Sequence, residues 1–159
     1  MIDFVYLTIS KIFSFLKLFH LFIQKKKFEI IYKNNTCHLS NNVKFFSPKN
    51  ITIGNNIFFG ENVILNASKG GNIKIGDNTN LAAETKILSW INDYDKNNKG
   101  TRSISKDVVI GKNCRIGYNV VILPGVKIGD NVTIAPMSLI LIDIPSNSTV
   151  MGNPAKIIN

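Results

Sequence analysis

The sequence of 159 residues predicts an all-β fold that is preceded by one helical segment. Three observations indicate this. An apolar position recurs every six residues over most of the chain, glycine or asparagine often stands close to it, and residues 1–23 lack the pattern. A period of six matches neither the turn of a helix, about 3.6 residues, nor the alternation of a long strand. It is typical of a parallel β-helix, in which each hexapeptide supplies one short strand and one turn.

The N-terminal segment contains five of the ten phenylalanines and almost no turn-forming residues. Its polar side chains fall on one helical stripe, which predicts an amphipathic helix: Asp3, Ser10, Ser14, Lys17 and Gln24. No basic stretch precedes the apolar run and no cleavage site follows it, so a signal peptide is not expected. Lys11 and Lys17 disfavour a transmembrane span, since each costs about 2.5–3.5 kcal/mol at a bilayer centre.

We assign residues 1–36 to this helical segment and a linker. Two interpretations of the helix are open. It packs on the rest of the protein or on neighbouring subunits, or residues 1–27 lie in a membrane interface with Lys25, Lys26 and Lys27 at anionic headgroups.

The six-residue period is unbroken from residue 110 onward. Isoleucine occupies the apolar position six times in succession: Ile110, Ile116, Ile122, Ile128, Ile134 and Ile140. The same phase occurs upstream at two sets of three: Ile53, Phe59 and Leu65, then Ile75, Leu81 and Ile87. Three hexapeptides close one coil, so each of these residues should point inward and stack on its equivalent one coil away, at about 4.8 Å. We therefore predict about five coils over residues 37–145, and a C-terminal tail at 146–159 that leaves the repeat.

The period is interrupted at residues 66–74 and 88–109. The second break is polar and charged, and loops of this length in a compact fold are usually functional. We predict an extruded loop at about 88–109 that projects from the coils.

Composition narrows the possible functions. The net charge is +9, 45% of the residues are hydrophobic and 18% are charged, which excludes an intrinsically disordered chain. The lysines are spread over many repeats without a basic and aromatic stripe, so no nucleic-acid partner is expected. The spacing of Cys37 and Cys114 and the isolation of both histidines predict no metal site. We expect a cytoplasmic protein, at the inner face of the membrane if the N-terminal helix binds there.

Residues 110–158 resemble the C-terminal half of hexapeptide-repeat acyltransferases. The motifs that carry the resemblance are ILPGVKIGDN at 122–131 and GNPAK at 152–156, and the similarity covers about residues 37–158. The closest group is the sugar O-acetyltransferases, which include the maltose, galactoside, capsule and O-antigen acetyltransferases. The resemblance implies a left-handed β-helix, a homotrimer, and acetyl-CoA as the acyl donor bound between subunits. It also implies an acceptor hydroxyl on a cell-surface glycan or its precursor, or on a small sugar.

The resemblance places the family's catalytic histidine in the extruded loop, five residues after an inward isoleucine. That position is Asn92 here, five residues after Ile87. An amide does not act as a general base, and loss of such a base typically costs about 10²–10⁴ in rate. Four neighbouring side chains are candidates for the remaining roles: Asp93 and Asp95 as substitute bases, and Trp90 and Tyr94 as acceptor contacts.

Three interpretations of Asn92 are open. The chain is an engineered inactive variant, or a degenerate paralogue with a glycan-binding or structural role, or an enzyme that uses another base or substrate positioning alone.

The cofactor cleft also departs from the family pattern. Small residues usually stand before the last coil and let the pantetheine arm lie against the backbone, but Met137 is placed among them here and is expected to narrow the groove. The resemblance, together with nearby basic residues, gives the candidate cofactor-binding set: Arg115, Gly117, Ala135, Met137, Ser138 and Lys156.

Overall fold

The computed structural model describes residues 11–16, 18, 19, 22, 26, 36–94 and 101–159. The chain divides into two compact units, Met1–Asn35 and Thr36–Asn159. The described residues of the first unit are helical, and their large apolar side chains are exposed: Ile12, Phe13, Phe15, Leu16, Leu18, Phe19 and Phe22. Of the predicted polar stripe, all but Ser14 lies outside the described residues. No described helix is both long enough and apolar enough to cross a membrane.

The second unit is built almost entirely from short strands. In chain order they are β1 (His38–Leu39), β2 (Lys44–Phe46), β3 (Ile51–Ile53), β4 (Phe58–Phe59), β5 (Ile64–Asn66), β6 (Ile73–Ile75), β7 (Asn80–Leu81), β8 (Lys86–Leu88), β9 (Trp90–Tyr94), β10 (Thr101–Ser105), β11 (Val108–Ile110), β12 (Arg115–Ile116), β13 (Val121–Ile122), β14 (Lys127–Ile128), β15 (Thr133–Ile134), β16 (Leu139–Ile140), β17 (Thr149–Gly152) and β18 (Ala155–Ile157). Two short 3-10 helices, Pro48–Asn50 and Ser68–Gly70, lie between them.

Most of these strands form three parallel sheets. The first sheet has the order β1-β4-β7-β12-β15-β17 and ends with the antiparallel strand β18. The second has the order β2-β5-β8-β13-β16, and the third β3-β6-β11-β14. From β1 to β16, apart from β9 and β10, successive strands therefore pass from the first sheet to the second, to the third and back to the first. The expected strand-rich fold, with mostly parallel sheets and little helix, is confirmed.

The repeated isoleucines form the core. Ile110 pairs with Ile128, Ile116 with Ile134, and Ile122 with Ile140, and each of these six side chains is at most 2% exposed. The predicted stacking of residues one coil apart is thereby confirmed. Full burial of an isoleucine side chain stabilises a fold by about 1.5–3 kcal/mol, so the columns supply the main stabilisation of the unit.

Asparagines at the turns explain their abundance in the sequence. Asn78, Asn113 and Asn131 adopt the left-handed backbone conformation, with φ of 58°, 57° and 57°. Asparagine tolerates this conformation better than most residues because its side chain forms local hydrogen bonds. The amides also bond from coil to coil: Nδ2 of Asn78 donates to Oδ1 of Asn113 at 3.2 Å, and Asn113 to Asn131 at 3.1 Å.

The repeat continues beyond residue 145, where we expected the chain to leave it. β17 extends the first sheet, with Val150 paired to Ile134 and fully buried. The reason is a shortened turn: Ile144 follows Ile140 after four residues and bridges Ile128, and the six-residue spacing then resumes at Val150. The side chains of Ile144 and Val150 still point inward, although the shorter turn shifts the six-residue pattern by two residues.

The two predicted interruptions of the repeat, and a third at Pro48–Asn50 that was not predicted, lie at one corner, between the second and third sheets. The two 3-10 helices occupy it after β2 and β5, and the segment after β8 forms an antiparallel hairpin of β9 and β10. In this hairpin Asn92 pairs with Ser103, and Tyr94 with Thr101. We call this the insertion corner.

Candidate active site

The hairpin is anchored at the insertion corner through Trp90. The indole Nε1 donates a hydrogen bond to Oδ1 of Asn66 at 2.9 Å, and the ring is half-buried. The Nζ of Lys69 lies 4.3 Å from the centroid of the same ring, a cation–π contact. The Trp90 ring thus joins the start of β9 to the turn at 66–70, through the hydrogen bond to Asn66 and the contact with Lys69.

Asn92 is exposed on β9, within reach of this cluster. Oγ of Ser103 donates to Oδ1 of Asn92 at 3.2 Å, and Nζ of Lys69 donates to the same Oγ at 3.5 Å. The bonds form a relay from the lysine through the serine to the asparagine. Asn66, Lys69 and Ser103 were not among the predicted site residues. The break in the period at 66–74 was the available signal, since it stands at the same corner as the hairpin.

The other predicted loop residues are located only in part. Asp93 and Tyr94 belong to β9, opposite Arg102 and Thr101 in the hairpin register. Asp95 lies outside the described residues. The roles of Asp93 and Asp95 as substitute bases, and of Tyr94 as an acceptor contact, therefore stay predictions.

The outer face of the first sheet contains a groove of about 280 Å³. It is lined by Asn80, Arg115, Ile116, Gly117, Thr133 and Ile134. Arg115 pairs in register with Asn80 on one side and Thr133 on the other, and it is exposed. We call this the Arg115 groove. It brings together two of the predicted cofactor residues, Arg115 and Gly117.

Two of the small residues predicted to line a cofactor cleft have a role within the coils. A Cβ on Gly117 would come within 2.6 Å of the backbone nitrogen of Pro136, so glycine is needed for close coil packing. Ser138 is 1% exposed, and its Oγ donates to the carbonyl of Ala135 at 2.8 Å and accepts from the amide of Gly152 at 3.2 Å. Its hydroxyl is therefore used inside the fold.

Met137 differs from its equivalents in the other coils. The turn positions that precede the second-sheet strands are Asn42, Asn62, Glu84, Asn119 and Met137, all with positive φ. Met137 has φ of 61° and is 68% exposed. An apolar side chain is thus presented at a turn where the other coils have polar ones. Lys156 is exposed on β18, opposite Met151.

The structure places the predicted residues at two separate regions of one chain. Trp90 and Asn92 lie at the insertion corner. Arg115 lies on the first sheet, and the turn 135–138 joins the first sheet to the second. The hairpin stands between the second and third sheets and the Arg115 groove lies on the first, so the fold of one chain does not bring the two together.

Comparison with known proteins defines the family. A family model described as bacterial transferase hexapeptide (six repeats) matches residues 107–141. The galactoside O-acetyltransferase of Escherichia coli (strain K12) is 30% identical over 138 residues, covering 84% of this chain and 68% of that protein. This chain belongs to the hexapeptide-repeat acetyltransferase family.

Solved structures of this family are also similar to the chain. A maltose O-acetyltransferase from Clostridium difficile 630 is 34% identical with a TM-score of 0.71, covering 79% of this chain and 67% of that one. A galactoside acetyltransferase in complex with coenzyme A is 29% identical with a TM-score of 0.75, covering 85% and 70%. The chain spans only about half the length, 55% and 46%, of two other curated relatives.

Proposed function

We propose that this chain transfers an acetyl group from acetyl-CoA to a sugar hydroxyl of a cell-surface glycan or its precursor. The observation that carries the proposal is the insertion corner, where Asn92 and Trp90 of the hairpin and Lys69 of the preceding turn stand together at an interruption of the repeat. Acetyl-CoA would supply the acetyl group as an activated thioester. The chain would bind the acceptor, orient its hydroxyl and hold the cofactor.

The Arg115 groove supports a part of the cofactor site. Its volume is just below the low end of ligand pockets, which span about 300–1,000 Å³, so in one chain it fits a portion of the cofactor. The Arg115 guanidinium suits a phosphate group, and the exposed Lys156 is a second cation for the same role. Met137 would contact the apolar arm of the cofactor at the neighbouring turn.

The acceptor site at Asn92 would act without a histidine. The amide can bind and orient the attacking hydroxyl, but it does not take up its proton at neutral pH. The proton would pass to water or to a carboxylate of the loop, for which Asp93 and Asp95 are the candidates. We therefore expect slow transfer.

A second copy of the chain would complete this site. The hairpin stands between the second and third sheets and the Arg115 groove lies on the first, so a neighbouring subunit is needed to bring one against the other. We propose a homotrimer of left-handed β-helices with about five coils each, with acetyl-CoA held between subunits. Light scattering should give the mass of three chains at micromolar concentration. The mass of one chain would contradict both the assembly and the shared site.

The N-terminal helix would hold this assembly at the inner face of a membrane. Its described phenylalanines and leucines are exposed, and basic residues follow them at 25–27. An exposed apolar face followed by lysines favours a membrane interface with anionic lipid.

The alternative function is a β-helix that binds glycan without catalysis. The presence of Asn92 favours it, because Oδ1 is occupied by Ser103 and no imidazole stands at this position. Release of coenzyme A from acetyl-CoA, measured over a panel of sugars, separates the two. Sugar-dependent release supports the transferase. Binding of a sugar in calorimetry without any release supports the binding protein.

A further inference from the structure

Lys69 occupies a defined position at the insertion corner. Its Nζ lies over the Trp90 ring and within 3.5 Å of the Ser103 hydroxyl, while the Trp90 ring is itself bonded to Asn66. The lysine backbone has φ of 57°, a conformation that side chains other than asparagine rarely adopt. The amide of Ser68 donates to the same Asn66 oxygen at 3.2 Å, which fixes the turn beside it. A long, flexible side chain is thus directed onto the hairpin by contacts on both sides.

The charge of Lys69 is not neutralised by any described carboxylate. Among the side chains that the structure describes, Asp93 and Asp95 not being among them, the ion pair formed is between Lys112 and Asp77. The groups around the Lys69 ammonium are a hydroxyl and an aromatic face, which leave the positive charge available to a ligand. The exposed position and the net charge of +9 favour an anionic ligand at this place.

Asn92 adds hydrogen-bond donors beside this cation. Its Oδ1 is taken by Ser103, and its Nδ2 has no hydrogen-bond partner among the residues that the structure describes. The cluster therefore offers an ammonium over one face of an indole ring and, nearby, an amide NH₂ group, and both are donors. Donors suit a carboxylate or a phosphate.

We propose that Lys69 recognises an acidic group on the acceptor, so that the preferred acceptor is an anionic sugar, a uronic acid or a sugar phosphate. This inference rests on the proposed function, since it names the acceptor class of the same site. Lys69 is then a specificity-determining residue. A neutral sugar would not pair with the ammonium group of Lys69, so this charge would not contribute to its binding.

The test compares three acceptors that differ at one carbon: methyl galactoside, methyl galacturonide and methyl galactoside 6-phosphate. The full chain, Lys69→Gln, Lys69→Arg and Lys74→Gln are each assayed for coenzyme A release and, separately, for binding of each sugar by calorimetry. Lys74→Gln is the matched control, because Lys74 is an exposed lysine on β6 with the same charge. Thermal unfolding of each variant verifies that the fold is kept.

We expect kcat/KM to be at least about tenfold higher for one of the anionic sugars than for methyl galactoside, as a charge-assisted bond provides. Lys69→Gln should abolish this preference, Lys69→Arg should keep most of it, and Lys74→Gln should match the native chain. The anionic sugar whose kcat/KM falls most in Lys69→Gln shows whether Lys69 recognises a carboxylate or a phosphate.

Equal turnover of neutral and anionic sugars would overturn the inference and leave the transferase function standing. If no sugar is turned over, the binding measurement decides. Weaker binding of an anionic sugar to Lys69→Gln than to Lys74→Gln would support the inference while the transferase function fails. Equal binding to both variants, or no binding of any anionic sugar, would overturn it.

Discussion

Ser103 donates a hydrogen bond to Asn92 across the hairpin, with Oγ and Oδ1 3.2 Å apart. The two residues are register partners of β9 and β10, so the backbone ladder holds the side chains opposite each other. The bond uses the amide oxygen of Asn92 as its acceptor, and the NH₂ group of the same side chain can donate to other partners. The side chain at position 92 can therefore donate a hydrogen bond to a ligand, whereas a general base must accept a proton.

The isoleucine columns should dominate stability. Ile122→Ala removes a side chain that is fully buried between Ile87 and Ile140, and we expect a loss of about 2–5 kcal/mol in the free energy of unfolding. Val121→Ala, on the outer face of the same strand and half-buried, is the control and should cost less than about 1.5 kcal/mol. Urea unfolding followed by circular dichroism measures both. Equal losses would contradict the inward and outward assignment of this strand.

Asp77 should make the fold sensitive to acid. The backbone N–H of Asn55 donates to its carboxylate at 2.9 Å and Lys112 lies 3.3 Å away, and both hold the pKa of Asp77 below its ordinary value of 3.8. Because the folded pKa is lowered, the contribution of Asp77 is present above the unfolded pKa and is lost as the pH falls through the folded pKa.

The difference in Tm between the native chain and Asp77→Asn should therefore be larger at about pH 7 than at about pH 3. Lys112→Gln removes only the second of the two contributions and should show a smaller effect of the same sign. A Tm difference that is the same at both pH values would show that ionised Asp77 does not stabilise the fold.

The core of the fold could be predicted from the sequence because each inward position is set by a local spacing. Ile110 to Ile140 keep that spacing, and their stacking follows from it. The end of the repeat was predicted wrongly because the short turn between Ile140 and Ile144 shifts the phase, while Val150 regains the inward position. A fixed six-residue spacing identifies inward positions only while every turn has the same length. The coil accommodates a shorter turn, so the inward positions after it were missed.

The candidate site was predictable only as a segment. The break at 88–109 marked the place, and the position of Asn92 came from the family resemblance. The contacts of Trp90 with Asn66 and of Lys69 with Ser103 join residues 24 and 34 positions apart, across two insertions that do not follow the period. No spacing rule relates such residues, so these contacts required the structure.

The exposed apolar face of the N-terminal helix should mediate membrane binding. The double substitution of Phe15 and Phe19 by serine removes two exposed rings that stack with their centroids 6.3 Å apart. We expect less of this variant than of the native chain to sediment with vesicles that contain phosphatidylserine. Replacing Phe58 with serine, an exposed phenylalanine of the second unit, is the control and should bind as the native chain does. Undiminished sedimentation of the double variant would contradict the interfacial role.

Ser103 should orient an imidazole introduced at position 92. Its hydroxyl can accept a hydrogen bond from Nδ1–H of histidine, which leaves Nε2 as the proton acceptor. In an Asn92→His background, Ser103→Ala should therefore lower kcat and leave the binding of acetyl-CoA unchanged. An unchanged kcat would show that Ser103 does not set the tautomer.

The most direct measurement is the turnover of Asn92→His beside that of the native chain, as coenzyme A released with acetyl-CoA and an accepted sugar. Only the transition state gains from a base at this position, so we expect kcat to rise by about 10²–10⁴ with little change in KM. A flat turnover, with acetyl-CoA still bound by the variant, would contradict the assignment of position 92 to the reacting hydroxyl and would favour the glycan-binding function.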